Sequence, residues 1–137
     1  MGIYLNPSNT KFDEVVNSEI YVDKTRLIQY TNDVLHTTQK YICVSRPRRF
    51  GKSIAASMLA AYYSRGCDSM ELFQGLVIAK TNSFAKHLNQ YDTITLNMQE
   101  FLSRSKSMDD MLSLLKKRVL WDLLETYPDF RYLIIQI

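Results

Sequence analysis

Apolar positions along this chain change period several times, and each change predicts an element. Leu27, Ile28, Val34 and Leu35 recur at near-helical spacing after "IYVDKT". They predict a helix with Asp23 as its N-cap, since a carboxylate there accepts first-turn amides. Upstream, residues 12–18 (FDEVVNS) suit either a short helix or an irregular entry segment. Residues 37–40 are a polar break. Residues 41–45 are apolar around the β-branched Ile42 and Val44, which predicts a central strand covered on both faces, with Cys43 as a small buried hydrophobe. From Lys52 the period turns helical through Ile54, Ala55, Met58, Leu59 and Tyr62, and Gly66 is placed to stop that helix.

Asp68 and Glu71 have capping-box spacing and predict a further short helix. Residues 91–98 alternate, with Ile94 and Leu96 on one face and Thr93 and Thr95 on the other, so a second strand is expected. Ser107 and Asp110 open a long helix by the same capping logic, with Met111, Leu112, Leu115, Val119 and Leu123 as its buried stripe and Pro128 after its end. The closing "RYLIIQI" predicts a third strand. Strands alternating with helices predict an α/β fold with a mainly parallel sheet and flanking helices. An uncharged strand at 133–137 needs neighbours on both faces, so the domain is expected to be incomplete.

Composition narrows the classes only a little. A chain of 137 residues can bury one core but not two. Its 46% hydrophobic and 23% charged residues are ordinary for a soluble domain. A net charge of +3 permits an anionic partner without implying one. No apolar run approaches the roughly 18 residues that span a bilayer, and the start lacks a secretory pattern. The Met-Gly start does not make a myristoylation signal, because Asn6 stands where Ser or Thr is preferred. Cys43 and Cys67 are far apart and read as reduced thiols. His36 and His87 have no ligand-like neighbours, which argues against a metal site made of side chains alone. A cytoplasmic location is expected, with no membrane partner.

The chemistry concentrates in "YICVSRPRRFGKSIAASMLAAYY". A phosphate-binding loop reads Gly, four variable residues, then Gly-Lys-Ser/Thr between a strand and a helix. Here the eight positions are Arg46, Pro47, Arg48, Arg49, Phe50, Gly51, Lys52 and Ser53, and only the first glycine is missing. Gly51 lets the backbone turn with no Cβ between its amide and a phosphate oxygen. The amides of residues 49–53 would form a nest at the positive end of the following helix. Lys52 would reach the β- and γ-phosphates of ATP, and Ser53 would offer its hydroxyl to Mg²⁺. Arg46 at the glycine corner is expected to strain the loop by about 1 kcal/mol or more, partly offset by Pro47, which favours an extended residue before it. Two other readings remain open: a basic turn with solvated arginines, and a turn that contacts nucleic-acid phosphate.

"YVDKTRLI", "SRPRRFGKS", "ASMLAAYYSRGCDSMELFQGLVIA" and "YDTITLNMQEFL" together resemble the AAA-ATPase-like family of bacterial and archaeal proteins. The similarity runs to about Arg131, and the arginine in place of the first glycine is that family's own form of the loop. The resemblance implies a P-loop NTPase-like fold and ATP binding, with Gly51, Lys52 and Ser53 shaping the loop, holding phosphate and holding Mg²⁺. It also implies a downstream PD-(D/E)xK nuclease-like domain and, through that domain, a nucleic-acid partner. "VDKT" at 22–25 matches a family signature, in which Asp23 is either a helix cap or part of the nucleotide enclosure.

Residues 1–40 then form a lead-in segment with a helix, and 41–137 the amino-terminal part of a P-loop ATPase domain. Hydrolysis needs a Walker-B acid at a strand end. "ITLNM" offers the neutral Asn97, and Glu100 reads better as a surface or capping carboxylate than as a substitute. The resemblance places the Walker-B strand and the nuclease-like domain beyond residue 137, as in a truncated or frame-shifted product. The expected function is ATP binding, with hydrolysis by this chain alone doubtful. The alternatives are a non-catalytic module gripping nucleic-acid phosphate, or a non-functional remnant. Oligomeric state is not legible.

Overall fold

A computed structural model describes residues 2–47, 49 and 51–130. In chain order the α-helices are α1 (Thr10–Val16), α2 (Arg26–Val34), α3 (Lys52–Tyr63), α4 (Met70–Phe73), α5 (Phe84–His87), α6 (Met98–Ser103) and α7 (Met108–Thr126). Short 3-10 turns occupy Val77–Lys80 and Pro128–Phe130.

The main core forms where α1 to α5 meet. Phe12, Ile28, Met58, Tyr62, Phe73 and Ile78 are all essentially removed from water. Burying each such side chain contributes about 1.5–3 kcal/mol. Phe12 stacks on Phe73 with ring centroids 5.1 Å apart, and Tyr62 meets Phe73 edge-on at 5.6 Å. Tyr62 can be wholly buried because its hydroxyl donates to the Phe84 carbonyl at 2.8 Å and accepts from Asn32 Nδ2 at 3.0 Å. A smaller cluster of Tyr4, Phe101 and Met111 joins residues 2–6 to α6 and α7.

The expected α/β architecture is overturned. The described residues contain helices, turns and two isolated bridges, and no parallel sheet. Residues 41–45 have the side chains of a strand but none of its pairing. Tyr41 is 86% exposed and Val44 44%, whereas a central strand needs cover on both faces. Cys43 is exposed rather than buried. An apolar run meets the side-chain requirement of a strand, but a ladder also needs a neighbour to accept its hydrogen bonds.

Residues 91–95 come nearest to sheet. They bridge antiparallel to residues 4–6, through Asn6 N to Thr93 O (2.7 Å) and Thr95 N to Tyr4 O (2.9 Å). On the other edge Tyr91 bridges parallel to Ser64. The second expected strand therefore shrinks to single bridges, and its last residue, Met98, already begins α6. The third, in "RYLIIQI", lies outside the described residues.

The helical expectations hold better. Residues 12–18 resolve in favour of a helix, α1. Ser107 Oγ accepts from Asp110 N at 3.2 Å to open α7, as its spacing predicts. The stripe of α7 is less buried than expected: Met111 is buried, Leu115, Val119 and Leu123 are half-buried, and Leu112 is exposed. Helix α3 ends before Gly66. Its last carbonyls are taken by Asn89, whose Nδ2 donates to Ala61 O (3.0 Å) and Ser64 O (2.7 Å). Gly66 is a glycine for a different reason: a Cβ there would collide with the Asn6 carbonyl.

Asp122 holds the far side of the molecule together. It projects from α7, is 3% exposed, and accepts three main-chain amides, from Ile3 (3.0 Å), Tyr4 (2.8 Å) and Leu5 (2.8 Å). Burial alone would raise the pKa of this carboxyl. The three donors outweigh burial and hold it below the ordinary aspartate value.

Candidate functional site

The basic loop leads directly into the longest helix of the main core. Gly51 is the residue before α3 and sits at φ +83°, a left-handed conformation that side chains other than glycine's resist. The first amides of an α-helix have no partners within it, and no side chain hydrogen-bonds there from the capping position of α3. The twelve-residue helix therefore presents its positive end at residues 51–53. Burial of Met58, Ala61 and Tyr62 on its inner face fixes where that end points.

Strain was expected at Arg46, and it lies at Arg49 instead. Arg49 has φ +65°, while Arg46 is absent from the described residues with positive φ. A proline immediately after Arg46 biases it towards extended backbone; the positive φ is found three residues along, at Arg49.

Two clefts flank Gly51. One, of about 440 Å³, is lined by Arg46, Gly51, Lys52 and Lys24 together with Val44 and Leu27. The other, of about 330 Å³, is lined by Arg49, Gly51 and Lys24 against an apolar wall that includes Tyr21, Ile54 and Met58. The structure thus brings Arg46, Arg49, Gly51 and Lys52 around one turn. Pro47 and Ser53 are exposed and line neither cleft, and Arg48 and Phe50 lie outside the described residues. A larger cleft of about 900 Å³ runs between residues 2–8 and α7 and shares no residue with the loop.

The "VDKT" stretch supports this turn from the side. Asp23 Oδ1 accepts from Thr25 N (2.8 Å) and Thr25 Oγ1 (2.6 Å), and Asp23 Oδ2 accepts from Val77 N (2.8 Å). Thr25 Oγ1 in turn accepts from Ile78 N at 3.1 Å. Burial would lift the Asp23 carboxyl. The Thr25 hydroxyl and the Val77 and Thr25 amides overcome that and keep its pKa below the usual value. Asp23 therefore clips the start of α2 to the 3-10 turn Val77–Lys80, and the N-cap residue of α2 is Thr25.

Between these two clip residues Lys24 reaches the loop. Its Nζ lies 3.0 Å from where a Cβ on Gly51 would stand. Sequence reasoning explained Gly51 by a turn with no Cβ between its amide and a phosphate oxygen, and overlooked this close approach of Lys24. Tyr21, just before the clip, has the one side-chain polar atom buried without a partner among the described residues. Its pKa is raised to about 12, by burial first and then by the charge of Asp23.

The remaining candidates fall away from the loop. Asn97 caps α6 by accepting from Gln99 N at 3.2 Å, and Glu100 pairs with Arg104 at 3.7 Å. Neither lines a cleft at Gly51. His36 and His87 lie with ring centroids 6.4 Å apart, and His87 Nδ1 is 2.6 Å from the Tyr91 hydroxyl. Among the described residues no group of three or more His, Cys, Asp or Glu could hold a metal ion. No helix among them is long and apolar enough to cross a membrane.

A family model described as "Predicted AAA-ATPase" (AAA-ATPase_like) matches residues 9–131. No curated protein and no solved structure matches the chain.

Proposed function

Because this chain belongs to the AAA-ATPase-like family, we propose that it binds ATP with Mg²⁺ through residues 46–53, a variant Walker-A loop. The observation that carries this reading is Gly51 at φ +83° opening a twelve-residue helix between two clefts whose linings include Arg46, Arg49 and Lys52. Main-chain amides at a helix start suit phosphate oxygens. A lysine at the first helical position supplies a mobile positive charge for the same group. Ser53 is the residue of this chain that would offer a hydroxyl to Mg²⁺.

The proposal is of binding, not of hydrolysis. Neither cleft at Gly51 has a carboxylate in its lining among the described residues. A titration of Mg·ATP into the full chain tests it. The native chain should bind, and Lys52→Ala should weaken binding at least about tenfold, the equivalent of 1.4 kcal/mol, with an unchanged unfolding temperature. Native-like affinity in Lys52→Ala would sink the reading. So would steeply salt-dependent DNA binding that Mg·ATP does not compete, which would mark the turn as a nucleic-acid contact instead.

A further inference from the structure

Lys24 is an unexpected presence at this loop. It comes from a different part of the chain, 27 positions before Gly51, and lines both clefts that flank that glycine. Resting on the nucleotide reading above, we propose that Lys24 is a second phosphate-contacting lysine, facing Lys52 across the Gly51 turn and bearing on the terminal phosphate of ATP.

Position is the first argument. Lys24 Nζ stands beside the Gly51 main chain, 3.0 Å from where a Cβ at residue 51 would be, a closer approach than an ordinary van der Waals contact. An ammonium so placed shares a cleft with Lys52, Arg46 and the main chain of Gly51. The second argument is support. Both neighbours of Lys24 are fixed: Thr25 is fully buried, and Asp23 and Thr25 together hold four hydrogen bonds, two of them reaching the 3-10 turn Val77–Lys80. A lysine presented from so constrained a backbone loses less freedom on contacting a ligand.

Charge is the third argument. Lys24, Arg46, Arg49 and Lys52 converge on two adjoining clefts without a carboxylate in either lining among the described residues. Like charges gathered in one concavity raise its potential and favour a polyanion. The tail of Mg·ATP carries about two negative charges beyond those the metal offsets, and a lysine answers them as a compact point charge.

Comparison of Mg·ATP and Mg·ADP binding in the native chain, Lys24→Ala, Lys24→Met, Lys24→Arg and Lys52→Ala separates the outcomes. Lys24→Met keeps most of the apolar stem, so folding survives even if Lys24→Ala is unstable. Lys24→Met should weaken Mg·ATP about tenfold and Mg·ADP clearly less, and Lys24→Arg should recover most of the loss. Equal weakening of the two nucleotides would show that Lys24 only shapes the cleft, and would overturn the inference. Native affinity in Lys24→Met beside lost binding in Lys52→Ala would also overturn it, while leaving the nucleotide reading intact. If Lys52→Ala binds Mg·ATP normally, the nucleotide reading itself fails, and with it the role assigned to Lys24.

Discussion

Two regions of this molecule have main-chain amides that no helix or sheet bond takes up, and they end differently. At residues 3–5 three amides close on Asp122, a buried carboxylate from α7. At residues 51–53 the N-cap of α3 is a glycine, which has no side chain to cap with, and among the described residues the charged side chains that line the clefts are cationic. The first arrangement carries its own anion, so its purpose is complete within the fold. The second adds positive charge to a positive helix end, which suits an anion from outside. The contrast teaches that amides without backbone partners do not by themselves argue for a ligand; the proposed reading rests on the sign of the neighbouring side chains.

Removing the internal anion should give the largest effect. Asp122→Ala leaves three buried or half-buried amides unsatisfied and should cost about 3 kcal/mol or more, read as a lowered denaturant midpoint with an unchanged slope. An effect below about 1 kcal/mol would mean that water replaces the carboxylate, and the two amide clusters would then be alike. Acid provides a milder version of the same test. The folded pKa of Asp122 is depressed, so its contribution is fully present above the unfolded value of about 4 and is lost as pH falls through the folded value. Stability should drop in that acid range in the native chain, and less steeply in Asp122→Asn.

At the open cluster, Gly51→Ala places a side chain at φ +83° and pushes against the Lys24 ammonium. A loss of about 1–2 kcal/mol of stability is expected, accompanied by weaker Mg·ATP binding. If stability falls and nucleotide affinity does not, the turn is structural only. Tyr21→Phe is the smallest change. It removes a buried hydroxyl that has no partner among the described residues and should leave the protein as stable or more stable by up to about 1 kcal/mol. A destabilised Tyr21→Phe would reveal a partner for that hydroxyl and draw the cleft beside Arg49 into the fold's own bonding.

Local signals were legible and non-local ones were not. The cap of α7 at Ser107 and the start of α3 at Lys52 follow from neighbouring residues, and sequence reading placed both. The parallel sheet required residues 41–45 to find partners elsewhere, which no periodicity encodes; among the described residues they find none. Within the loop, the order Gly51-Lys52-Ser53 gives the expected chemistry but not the location of the strained residue, since Arg49 and not Arg46 carries a positive φ. Asp122 left a trace that could have been read, a lone acid inside the apolar run "VLWDLL". Such a residue is either exposed or paired when buried. Lys24 left a weaker trace, a cation between two residues that bond each other.

The grip of Asp122 on residues 3–5 joins positions 117 to 119 apart in the chain. During synthesis those early residues emerge long before their carboxylate exists, so this part of the molecule can only be finished late. A contact spanning that distance also taxes the folding rate, since a long loop must be closed before any bond repays it. The core around Tyr62 draws on helices closer together in sequence and can assemble sooner. Among the side-chain contacts described above, the latch on residues 3–5 is therefore the one whose formation requires the longest loop to close.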